Sequence, residues 1–213
     1  MKKVDAPLDP AGMTAMLRDG VLAIGPEDIG LNPTDCPQVW GVMMELGEAD
    51  VVVSLAALVD GSVSIYLSDG AGVIGCGLHP DVRLAAIKML HVAEQAAGLC
   101  TPATEHPMPG ANQVCFHLLT THGILTGEAS RAELDDGEAE LAELYYAGHG
   151  VIGLVELLGA GVDLIDEMRL AQAGAQSGSQ TGQESAGNQE FKARGRGCRI
   201  LPYVGNVVRR SQN

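Results

Sequence analysis

Large rings are almost missing from this chain: among 213 residues there are one Trp, two Phe and four Tyr. A core must then be assembled from Ala, Val, Leu, Ile and Met, which favours thin layers and close helix packing. Positive charge is scarce as well. No Lys or Arg stands between Arg18 and Arg83, and 13 basic residues face 27 acidic ones, for a net charge of −14. The imbalance is uneven along the chain. Residues 1–169 hold 7 basic and 25 acidic residues, net −18, whereas residues 170–213 hold 6 and 2, net +4. So acidic a body repels phosphate backbones, which argues against nucleic-acid binding by the folded part and leaves any anionic partner to the tail.

No run approaches the roughly 18 apolar residues that span a bilayer, and the charged Met1-Lys2-Lys3 start is not followed by an apolar stretch of signal-peptide length. The expectation is a cytoplasmic protein with no membrane span. The five cysteines, Cys36, Cys76, Cys100, Cys115 and Cys198, are odd in number and widely spaced. That suits free thiols in a reducing compartment better than a disulfide framework.

What is present is a hydrophobic content of 46%, enough for one buried core. Residues 1–33 read as an extension with a short helix, Pro10 to Asp19, in which Met13, Met16 and Leu17 share helical spacing. A second helix is predicted over Cys36 to Leu46, with Thr34 and Asp35 as N-cap, Val39, Trp40, Met43 and Met44 as its apolar stripe, and Gly47 as its stop. The period then changes. Val51 to Leu58 and Ser62 to Leu67, joined at Asp60-Gly61, predict a β-hairpin, and Val73 to Gly77 a short further strand. Pro80 opens a helix to about Ala97, whose Arg83, Lys88, His91, Glu94 and Gln95 fall within an arc of roughly 140°. A second hairpin follows over Val114 to Leu119 and Ile124 to Ala129. A last helix is introduced by the acidic run from Glu133 to Glu143, read as a solvated helix start that complements the dipole.

The predicted fold class is thus α+β: a mostly antiparallel sheet of about five strands flanked by helices, in the order α-ββ(β)-α-ββ-α, over residues 34–169. From residue 170 the composition turns to Gly, Gln, Ser and Ala, a linker too poor in apolar surface to offset its ordering entropy. It leads to a basic segment, Phe191 to Arg210, with an apolar island at Ile200-Leu201-Pro202-Tyr203-Val204. The whole tail, 170–213, is expected to be disordered, with folding back onto the acidic body as one reading of its charge.

Three constellations bear on chemistry. Gly70-Ala71-Gly72-Val73-Ile74-Gly75 matches the dinucleotide pattern G-x-G-x-x-G, but a strand-like Val-Ile lies within it and the helix starts only at Pro80, so its N-terminus is out of place for a pyrophosphate. The glycines read as turn and close-packing residues, and no cofactor is predicted from them. Cys76, His79, Cys115, His117 and His122 are the right donor types for zinc if the two hairpins bring them together, although no C-x-x-C pair is present. They carry the alternative reading, a metal- or small-ligand-binding enzyme. No Ser or Cys stands in a nucleophile elbow, so no catalytic residue is assigned. Met13, Met16, Trp40, Met43 and Met44, placed on helices outside the sheet, are candidate contact residues, since Met suits adaptable surfaces, and core packing accounts for the methionines equally well.

This order of elements resembles the profilin-like group that includes roadblock and longin domains. The Val39-Trp40-Gly41-x-x-Met44-Glu45-x-Gly47 and Asp60-Gly61-Ser62-x-Ser64-x-Tyr66 segments are similar to those of conserved bacterial proteins of unknown function. The resemblance implies a non-enzymatic interaction or regulatory module that pairs with itself or with another protein, a GTPase among the partners.

Overall fold

The computed structural model describes residues 9–32, 34 and 36–158, together with the backbone of 199–201. Its central element is a strand where the apolar pattern predicts a helix. Val39–Gly47 (β1) is buried along its whole length. Val42, Met44 and Leu46 join the main core on one side, while Met43 and Glu45 point to the other. A strand covered on both faces has no polar side to alternate with, so its sequence can mimic a helical stripe. The helix expected over Cys36 to Leu46 is therefore corrected to a strand.

Around β1 the sheet is wholly antiparallel. Val52–Leu58 (β2) and Val63–Leu67 (β3) form the predicted hairpin, and Gly72–Ile74 (β4) follows on its outer side. Gln113–Thr120 (β6) pairs with the other side of β1 and turns back into Gly123–Ser130 (β7), beyond which the short Thr101–Ala103 (β5) adds one more strand. With Arg199–Leu201 (β8) paired to β4, the order is β5-β7-β6-β1-β2-β3-β4-β8. Seven strands within 39–130 and an eighth from the tail replace the expected five. The difference lies in β1, read as a helix, and in the short β5 and β8, which carry too few residues for a detectable period. The rest of the linker and tail lies outside the described residues.

Two helices close the main core on one face: Pro80–Ala96 (α2) and Ala142–Leu157 (α4). Met89, Leu90 and Ala93 of α2 and Leu144, Val151 and Ile152 of α4 meet Leu55, Ile65 and Phe116 of the sheet. The acidic run does not sit on one continuous helix. Ser130 caps Arg131–Asp135 (α3) in a box with Glu133, and the left-handed Gly137 (φ 72°) ends that helix before α4 begins.

On the opposite face lies Pro10–Ala23 (α1), longer than predicted, capped by Asp9, whose carboxylate accepts from Gly12 N at 2.7 Å. Its Leu17, Val21 and Leu22 pack on Met43, Ala56 and Tyr66. The segment after it continues the cover, with Ile24, Ile29, Leu31 and Cys36 against Trp40, Leu58 and Leu119. The result is three layers, with the sheet in the middle. No helix among the described residues is long and apolar enough to cross a membrane.

Candidate functional site

Polar groups inside the sheet are expensive unless paired, which makes a fully buried carboxylate the first place to look for chemistry. Glu45 of β1 has no solvent exposure. The register places it opposite Ser54 of β2 and Cys115 of β6, with His117 one pleat along. Each oxygen has two donors. Oε1 accepts from Arg18 Nε at 2.8 Å and Ser54 Oγ at 2.6 Å, and Oε2 from Arg18 Nη2 at 2.7 Å, with His117 Nε2 at 3.2 Å. Burial alone would raise its pKa, but the donors from Arg18, His117 and Ser54 outweigh it and hold the carboxyl at about 2.

The surrounding groups are also engaged. Because Glu45 only accepts, His117 Nε2 carries the hydrogen between them, and His117 Nδ1 hydrogen-bonds with Thr126 Oγ1 at 3.0 Å. Arg18 Nη2 also donates to the His106 carbonyl at 2.7 Å, tying the 104–110 loop to the same point. The edge of the His106 ring meets His117 with centroids 5.1 Å apart. Burial first, then the neighbouring His117 and Arg18, bring the His106 imidazole below its usual pKa. A carboxylate with all its lone pairs taken has nothing left to offer a substrate proton. The cluster is a latch that fastens α1 to the sheet.

A second polar group lies just past the same end of β1, where Arg131 of α3 pairs with Glu48, and Tyr145 of α4 donates to Asp135 Oδ1 of α3 at 2.7 Å. Burial, and the Asp135 partner with it, pushes the Tyr145 hydroxyl well above its ordinary pKa, so it stays protonated.

The predicted metal-ligating residues do not assemble. Cys115 and His117 share one face of β6, beneath α1, but Cys76 lies in the main core on the other side of the sheet. His79 stands half-buried at the start of α2, and His122 is exposed in the β6–β7 turn. Among the described residues no group of three or more His, Cys, Asp and Glu is arranged to hold a metal ion. Burial, with Glu128 and Glu45 nearby, pushes the Cys115 thiol up to about 12. The glycines of the G-x-G-x-x-G pattern serve packing and turns. Gly70 is left-handed (φ 110°) against Pro10, and a little further on Gly77 approaches the Gly61 carbonyl so closely that a Cβ would lie 1.7 Å from it.

The candidate contact residues divide. Met43 and Met44 are fully buried on β1 and Trp40 is 2% exposed, so these three belong to the core and not to a surface. Met13 and Met16 of α1 are exposed. Exposed aliphatic residues also gather on and just before α2. Leu84 (53%) and Ile87 (48%) face solvent on α2, and Leu78 (64%) does so just before it. Ile87 also lines a shallow groove of about 170 Å³ with Pro37, Val39, Val59, Leu90, His91 and Glu94. The signal was present in the sequence. At about 100° per residue Leu84 and Ile87 fall inside the polar arc set by Arg83 and Lys88, where an apolar residue gains nothing from the core.

The same face is electrostatically distinct. Of the four basic residues within 9–158, Arg18 is buried on Glu45 and Arg131 is paired with Glu48. Arg83 and Lys88, both exposed on α2, are the remaining two. No family model, curated protein or solved structure matches this chain.

Proposed function

We propose that this chain is a protein-interaction module that pairs with a second copy of itself through the solvent face of α2. The observation that carries the proposal is the pair Leu84 and Ile87, left half exposed beside the surface cations Arg83 and Lys88. Two bodies of this net charge repel each other over most of their surface, and the approach costs least where cations interrupt the acidic field. Contiguous exposed aliphatic residues on a rigid helix supply the desolvation energy of an interface core, while the charged residues around them form a polar rim. The resemblance to roadblock and longin domains points the same way and adds a GTPase as a second class of partner.

Light scattering coupled to size exclusion tests the pairing. The expected result is a dimer at tens of micromolar, and for Ile87→Asp a monomer with the circular dichroism of the wild type and a thermal transition that no longer depends on concentration. A monomeric wild-type chain at that concentration would overturn the proposal, as would an Ile87→Asp chain that stays dimeric.

A further inference from the structure

The two ends of the sheet are finished differently. At one end β5 is short, largely exposed, and carries Pro102, which has no N–H to offer a further strand. At the other end β4 reads Gly72-Val73-Ile74, without charge or proline, the kind of edge that templates strand addition. That edge is occupied. Gly72 stands opposite Leu201, Val73 opposite Ile200, and Ile74 opposite Arg199.

The occupant comes from the one part of the chain with the opposite charge. Residues 170–213 carry a net +4 against −18 for the rest, and Ile200 and Leu201 form the apolar island within that basic segment. On the body, Asp69 precedes β4 in the chain, and Asp81 follows it at the start of α2. A ladder of three residues makes few hydrogen bonds, and tethering in cis supplies the effective concentration that holds such a short strand in place. Forty residues separate Leu158 from Arg199. At up to about 3.3 Å per residue they span far more than the width of a small domain.

We propose that the β4 edge is a strand-addition surface for an extended protein segment with an aliphatic residue opposite Val73 and basic flanks. The chain's own Arg199–Leu201 fills it in cis, so a partner segment binds by displacing the tail. This surface is separate from the solvent face of α2, and neither proposal depends on the other.

Hydrogen exchange and peptide binding on the full-length chain test it. In Leu201→Pro, which removes the N–H that faces Gly72 across the ladder, the amides of Gly72 and Ile74 are expected to exchange at least tenfold faster while those of β1 and β6 do not change. A labelled peptide of residues 194–204 is then expected to bind Leu201→Pro at least tenfold more tightly than the wild type, and to weaken as salt is raised. The proposal is overturned if exchange at 72–74 is the same in both chains, if the peptide binds both equally, or if a scrambled peptide binds as well. Protection of 72–74 that fades on dilution would place the tail strand on a second copy and overturn the cis arrangement.

Discussion

Replacing Arg18 by Met removes both guanidinium donors from Glu45 and leaves a carboxylate with no solvent exposure held only by Ser54 and His117. Breaking a buried pair by deleting one partner costs about 3–5 kcal/mol. The pKa gives the net hold of Arg18, His117 and Ser54 together on the charged carboxyl, after its burial is subtracted. A carboxyl moved from 4.5 to about 2 reflects roughly 3 kcal/mol at about 1.4 kcal/mol per unit. For a domain of this size that corresponds to a fall in Tm of roughly 6–12 °C. Trp40, the single tryptophan and 2% exposed, reports urea unfolding directly by its fluorescence.

The double variant Arg18→Met/Glu45→Leu is expected to recover most of the loss, because an apolar pair of similar volume leaves no uncompensated charge. Acid titration supplies an independent check. Glu45 titrates lower in the folded chain than in the unfolded one, so its contribution is fully present above about pH 4.5 and is lost as the pH falls toward 2. The double variant lacks that part of the acid transition. A single variant within about 1 kcal/mol of the wild type would refute the latch, since it would mean that Glu45 does not rely on Arg18 for its charge.

Gly77→Ala places a Cβ 1.7 Å from the Gly61 carbonyl oxygen, and because backbone cannot swing aside the expected loss is about 2–4 kcal/mol, read from the urea midpoint. Cys115, with its thiol at about 12, is expected to resist alkylation at pH 8 in the folded chain and to label readily in urea; rapid labelling without denaturant would contradict its burial.

Much of the framework was legible in the chain itself. Asp60-Gly61 and the alternation of Val63, Ile65 and Leu67 determined the β2–β3 hairpin, and Pro80 fixed the start of α2, because turn chemistry and a half-buried period are local properties. The charge division at residue 169 was equally a matter of sequence. Leu84 and Ile87 also lay in plain view, as apolar residues within a polar arc.

Tertiary structure alone decided the rest. β1 became a strand because covers on both faces gave Met43 and Met44 separate apolar surroundings, erasing the alternation that identifies strands. Arg18, Glu45 and His117 lie 27 and 72 residues apart in their hydrogen bonds. No spacing rule links them, and only sheet register and the docking of α1 bring them to one point. Cys76, in the short helical turn after β4, packs into the main core, while the pleat of β6 turns Cys115 to the other side of the sheet.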